Sequence, residues 1–227
     1  MKKLIVSAFI ALGVATAFAE GQKAGGAEPK PEMVRIGGAG KVAFVNVAGV
    51  DEGLLKAAAA KISSVLMIEV EVQKGEWSFA EAKKCFADTK ANAAVFIVKD
   101  STLPLSLIAM EGKWGVANVA MLEGKSIMKE TLRVATVILG GASSKYKASV
   151  MRPVFSAADL EKEAGEIITI DALMAIYPNL AALGLKQYEV MEYADALEEG
   201  VAPAPVNDAQ RKIKAEFEKA KKAKSGK

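Results

Sequence analysis

Side chains that could do chemistry are few in this chain, and their types exclude more than they permit. It holds no histidine and one cysteine, Cys85, so a Cys/His nucleophile pair cannot be assembled. Cys85 lies in the helical pattern from Ser78 to Phe86, where a free cysteine reads as a small buried hydrophobe. Two stretches, Ser126-Ile127-Met128-Lys129 and Ser144-Lys145-Tyr146-Lys147, satisfy S-x-x-K, in which an amine activates a hydroxyl nucleophile. The S-D-N partner is absent and Lys224-Ser225-Gly226 lies in the tail, so Ser126 reads better as a helix cap and Lys129 as a solvated side chain. Glu69 and Glu71 share one face of a strand and could form an acid/base pair, but exposed alternation explains them better. Gly37-Gly38-Ala39-Gly40-Lys41 suggests a phosphate loop. Arg35 stands where its first glycine belongs and Val42 where Ser or Thr belongs, so a turn is expected there.

The first residues have the build of a secretory signal. Lys2 and Lys3 precede an apolar run from Leu4 to Phe18 and a small-x-small site at Ala17-Phe18-Ala19. The run is short for a membrane span. Cleavage after Ala19 is therefore expected, with export to the periplasm or the exterior, and no cysteine lies near the site to carry a lipid. The remaining length suits one domain, and an apolar content of 52% is ample for its core. The formal charge of +3 is unevenly spread. Residues 207–227 hold eight Lys or Arg against three Asp or Glu, a net of +5, and the signal adds +2, which leaves residues 20–206 at −4. No nucleic-acid partner is expected from this distribution; weak contact of the basic tail with an anionic surface is.

Those residues must be positioned by alternating strands and helices. After a Gly/Pro-rich leader over residues 20–33, the pattern predicts a strand at Val42 to Val47 and a helix at Asp51 to Leu66. A half-exposed strand at Ile68 to Val72 follows, then the Cys85 helix and a buried strand at Ala93 to Val98. A short strand at Leu105 to Ala109, another at Val116 to Met121 and a helix at Ser126 to Leu139 come next. The order implies an α/β domain with a mixed twisted sheet. Beyond Met151 helices are expected: one capped by Ser156 with Asp159 three residues on, a pair at Ile170 to Ile176 and Leu180 to Leu185, and one at Tyr188 to Leu197. The domain is bounded at residues 34–197. Pro203 and Pro205 mark a linker, and Asp208 to Lys224 is helix-prone with a thin stripe at Ala209, Ile213, Phe217 and Ala220, expected to be dispensable for folding.

From Val134 to Met151 the spacing resembles the active site of a metzincin zinc peptidase, in which H-E-x-x-H-x-x-G-x-x-H precedes a methionine turn. With the template glycine on Gly141, the histidine places fall on Val134, Ile138 and Ser144 and the general base on Ala135, with Met151 as the turn methionine. Within that clan the chain is most similar to the archaemetzincins. Phe96-Ile97-Val98-Lys99-Asp100 with Leu103-Pro104 resembles their strand and its acidic, proline-bearing exit. Gly115 to Leu122 resembles the strand before their catalytic helix, and Val150-Met151 followed by Ser156 to Leu160 their methionine turn and next helix.

The resemblance implies a metzincin-like N-terminal subdomain over a small helical C-terminal part. It also implies that the zinc ligands and base are lost, since two hydrocarbons and a hydroxyl cannot replace three metal donors and Ala135 cannot accept a proton. Lys145 and Ser149 stand where two cysteines of a structural zinc are expected, so no metal and no other cofactor is foreseen. Val134 and Ile138 should fill the space with apolar packing, Ile138 buried and Met151 near it. The expected role is binding of a peptide or protein ligand in the former substrate groove, whose edge the resemblance puts at Leu105, Leu107 and Ala109. A hydrolase using a Ser/Lys pair or carboxylates, and a structural envelope protein, are the alternatives. An open, polar-rimmed cleft near Val134 to Ser144 would favour binding, and a cleft sealed by side chains a structural role.

Overall fold

The elements alternate as the apolar pattern requires. In the computed structural model they run β1 (Met33–Ala39), β2 (Lys41–Asn46), α1 (Glu52–Leu66), β3 (Glu69–Lys74), α2 (Ala82–Asp88), β4 (Ala93–Val98), β5 (Ser106–Ala109), β6 (Trp114–Asn118) and α3 (Lys125–Ile138). α4 (Ala157–Glu163), α5 (Ile170–Ala182), β7 (Lys186–Glu192), α6 (Tyr193–Glu198) and α7 (Asp208–Ser225) complete the chain. Residues 31–225 are described, and Glu32 onward forms one compact unit. The expected signal and cleavage site, and most of the leader, lie outside the described residues.

A five-stranded sheet with the order β3-β2-β4-β6-β5 carries the molecule. β3, β2, β4 and β6 are parallel, and β5 joins antiparallel at the edge. β4, Ala93-Ala94-Val95-Phe96-Ile97-Val98, is buried at every residue because both faces of the sheet are covered. On one face Val42, Phe44, Val95, Ile97 and Ala117 meet Leu55, Ile62 and Leu66 of α1 and Leu132, Val134 and Ile138 of α3. On the other, Val45, Phe96 and Val116 are covered by Trp77, Cys85 and Phe86, with Trp77 4.6 Å from the Phe96 ring and 4.9 Å from the Trp114 ring. Asp51 caps α1 by accepting from the Gly53 N–H at 2.8 Å.

Four expectations need correction. Gly37 and Gly38 are not a turn but part of β1, and Tyr188 to Glu192 is not helical but β7; the two strands pair antiparallel, with Gly37 opposite Tyr188. This ribbon is anchored at Tyr188, whose hydroxyl donates to the Ser63 carbonyl of α1 at 2.9 Å, so the C-terminal part is not purely helical. The helical pair is one helix, α5, running through Pro178. Burial of Ala172, Ile176 and Leu180 outweighs the backbone hydrogen bond that proline removes. The strand expected to reach Met121 stops at Asn118, whose side chain bonds the Asp100 and Leu103 carbonyls at 2.7 and 2.8 Å.

The basic tail is also more than an appendage. Tyr193, Ala196 and Val34 form a small core against which Ala202 and Ile213 pack. Gln210 is buried and accepts from the Val206 N–H at 2.9 Å, and Asn207 donates to Glu32 at 3.0 Å. The first turns of α7 are therefore docked, with Gln210 rather than Ala209 on the inner side. Among the described residues, no helix is long and apolar enough to cross a membrane.

Candidate functional site

α3 is buried around most of its circumference. Val134, Ala135 and Ile138 face the core, and the buried hydroxyls of Thr131 and Thr136 donate to the Ile127 and Leu132 carbonyls one turn back. Val134 and Ile138 lie against β6 at Gly115, where an added Cβ would come within 2.6 Å of Val134 Cγ1 and 3.1 Å of Ile138 Cγ2. Ile138 is 2% exposed and shares its core cluster with Met151. Val134 and Ile138 are thus both buried in apolar packing.

The helix ends one residue earlier than the template placement assumes. Gly140, at φ +95°, takes the left-handed position after the Leu139 cap, and its added Cβ would overlap Asn179 of α5. Gly140 N–H bonds the Val137 carbonyl and Gly141 N–H the Thr136 carbonyl, both at 2.8 Å, a Schellman closure. Gly141 is the residue after the helix-ending glycine, and its own Cβ position is closed by Thr136. With the template glycine on Gly140, the ligand places move to Arg133, Val137 and Ser143 and the base to Val134. That register uses the partly accessible line of α3, along Lys129, Arg133 and Val137.

Arg133 is the polar centre of this line. Its Nε and Nη2 donate to the fully buried Glu130 carboxylate at 2.8 and 2.7 Å, and Nη2 also donates to Ser106 Oγ of β5 at 2.8 Å. Burial pushes the Glu130 carboxyl above its usual range, and the Arg133 guanidinium pulls it part of the way back. The pair ties the helix to the edge strand. Sequence offered only an i,i+3 Glu/Arg spacing, which does not reveal burial.

After the helix the chain turns back on itself. Ser144 is buried, its N–H donates to the Met151 carbonyl at 3.0 Å, and its hydroxyl reaches the Asp171 carboxylate. Hydrogen bonds from Thr169 and then Ser144 hold Asp171 below the usual carboxylate value. Ser149 is buried, with its hydroxyl 3.1 Å from Thr169 Oγ1, while Lys145 is exposed. A shallow cleft of about 760 Å³ opens here, lined by Ser143, Lys145, Tyr146, Arg152 and Asp171. The site is therefore sealed by side chains at Val134 and Ile138 and polar and open at its turn.

The expected groove edge lies at the rim of the sheet. Among the described residues β5 pairs only with β6, the Leu105 carbonyl accepts from Asn118 N–H at 2.9 Å, and Leu107 and Ala109 lie opposite Val116 and Trp114. Among the described residues, no hydrogen bond joins Ser126 to Lys129 or Ser144 to Lys147. Gly124, not Ser126, caps α3, and Lys129 Nζ donates to the Glu161 carbonyl of α4 at 3.0 Å rather than standing free. Glu71 pairs with Lys41 at 2.8 Å. Among the described residues no group of three His, Cys, Asp or Glu could hold a metal ion.

No protein-family model matches the chain, and no curated protein matches it. Among solved structures, the archaemetzincin of Methanopyrus kandleri aligns with a TM-score of 0.51 and 12% identity, over 62% of this chain and 95% of its own. A zinc-dependent peptidase of Methanocorpusculum labreanum aligns with a TM-score of 0.45 and 9% identity, over 60% of this chain and 99% of its own. The archaemetzincin of Archaeoglobus fulgidus complexed with malonate aligns at 0.44 and 15%, again over 60% and 99%. The fold of this chain is archaemetzincin-like.

Proposed function

We propose that this chain is an exported, non-catalytic relative of the zinc peptidases that share its fold, and that it holds an extended peptide or protein segment along β5. The observation that carries this reading is the chemistry of the ligand places. In either register of the template they present hydrocarbon, guanidinium or hydroxyl groups: Val134, Ile138 and Ser144, or Arg133, Val137 and Ser143. None of these sets suits zinc, which takes imidazole, thiolate or carboxylate donors in such sites. Ala135 or Val134 at the base position cannot take a proton from water.

Binding needs none of those groups. An open edge offers backbone donors and acceptors that an added strand can pair with, whatever stands on the helix behind it. Arg133 holds Ser106 from the helix side and keeps that edge in place. Export rests on Lys2, Lys3, the apolar run and Ala17-Phe18-Ala19. The basic turns of α7 would add a weak attraction to an anionic surface. Titrating extended peptides against the wild type and an Ile108→Pro variant tests the reading. Loss of binding in the variant is expected, and equal binding by both would remove β5 from the site.

A further inference from the structure

We infer that β5 selects its ligand through a cleft at the end of the strand, which takes one bulky apolar side chain of an extended peptide. The inference rests on β5 being a peptide-binding edge. Leu105 bonds inward to Asn118, and Leu107 and Ala109 continue that pairing, so antiparallel alternation turns the N–H and C=O of Ser106 and Ile108 outward. No described residue bonds them there. Beside this open edge lies a cleft of about 1060 Å³ whose walls include Phe79, Ala82, Ile108, Ala109, Met110 and Trp114.

Its walls are apolar and uncovered: Phe79 is 70% and Met110 50% exposed. Exposed large side chains around a concavity mark a place another molecule covers. Trp114 is braced by Trp77 and, through it, Phe96, so the back wall is firm. The Trp114 indole N–H has no hydrogen-bond partner among the described residues, and Gly112 leaves room beside it, since a Cβ there would lie 2.5 Å from Nε1. The free donor suits a backbone carbonyl of the ligand. Glu81, Lys83, Lys84 and Glu111 rim the cleft with both signs of charge, which favours a neutral side chain over an ionised one. In strand addition, backbone bonds supply general affinity and a pocket for alternate side chains supplies choice.

Trp77 and Trp114 are the only tryptophans, so intrinsic fluorescence reports on the cleft directly. The probes are end-blocked heptapeptides of alternating threonine and serine whose central residue is leucine or serine. The leucine peptide is expected to bind about tenfold more tightly or better, with a blue shift of emission. Phe79→Asp and Met110→Asp, both at exposed positions, should erase that preference while the serine peptide binds as to the wild type. Ile108→Pro, which removes an outward N–H and leaves the β5–β6 hydrogen bonds in place, should weaken both peptides. Equal affinity for the two peptides, or a leucine preference that survives Phe79→Asp, would overturn the cleft and leave the edge standing; no binding of either peptide would overturn both.

Discussion

Val137 and Ile138 are neighbours in sequence and opposites in environment. Ile138 is packed against Gly115 of β6, whereas Val137 stands on the partly accessible line with Arg133. An imidazole at Ile138 would be buried without a partner, so Ile138→His should cost about 2 kcal/mol or more, and Val137→His less than about 1 kcal/mol. Urea unfolding of the two variants gives the order, and the reverse order would restore the register built on Gly141. The type of these residues was legible in the sequence. The burial of Ile138 was legible too, but the end of the helix was not, because two adjacent glycines fit the template equally and only the contact of Gly140 with Asn179 shows which one ends the helix. Glu130 gives a pH test. Its raised pKa means that the folded state holds the proton more tightly than the unfolded chain. Stability from this group is therefore present at acid pH and is lost as pH rises from the ordinary carboxylate range through the raised value. Between about pH 4 and about pH 8, wild type should lose ground against Glu130→Gln, and parallel stabilities would show no such linkage. Glu166, lowered by its hydrogen bond from Lys61, acts in the opposite sense in both proteins and cancels in the comparison.

At the scale of elements, the strands that build the buried sheet were readable because a run such as Ala93 to Val98 has no polar position and the right length. β1 and β7 were not readable, and for one reason. Each is a strand only because the other pairs with it; the glycines of β1 locally favour a turn, and Tyr188 to Leu197 carries residues a helix would accept. The short edge β5 was legible, but the Asn118 bonds that fix the loop before it were not. The same limit applies to α7, whose stripe looked too thin to dock but adds Ile213 and the buried Gln210 to a core shared with β1 and α6. Truncation after Pro205 is therefore expected to remove about 1–3 kcal/mol and lower the thermal midpoint by several degrees. An unchanged midpoint would mean the docking contributes nothing. The outer turns should behave differently: Lys219→Glu with Lys221→Glu should leave the midpoint unchanged and abolish low-salt sedimentation with anionic vesicles. Vesicle binding that survives this charge reversal would place the contact elsewhere.

For the molecule as a whole, the order of elements up to α3 and the residues from Gly141 to Met151 carried the resemblance to an archaemetzincin fold, and the aligned archaemetzincin of Methanopyrus kandleri has that fold. Whether the groove was open or sealed could not be read, because it depends on which α3 face meets β6. That face carries Val134 and Ile138 into the core, while β5, the cleft beside Trp114 and the polar turn after α3 stay open to contact. We propose that this scaffold has given up zinc chemistry and kept an edge for binding. Metal analysis of the purified protein after exposure to zinc and exhaustive dialysis tests it most directly. Zinc far below one equivalent per chain is expected, whereas about one tightly held zinc per chain, with peptide hydrolysis abolished by a chelator, would contradict it.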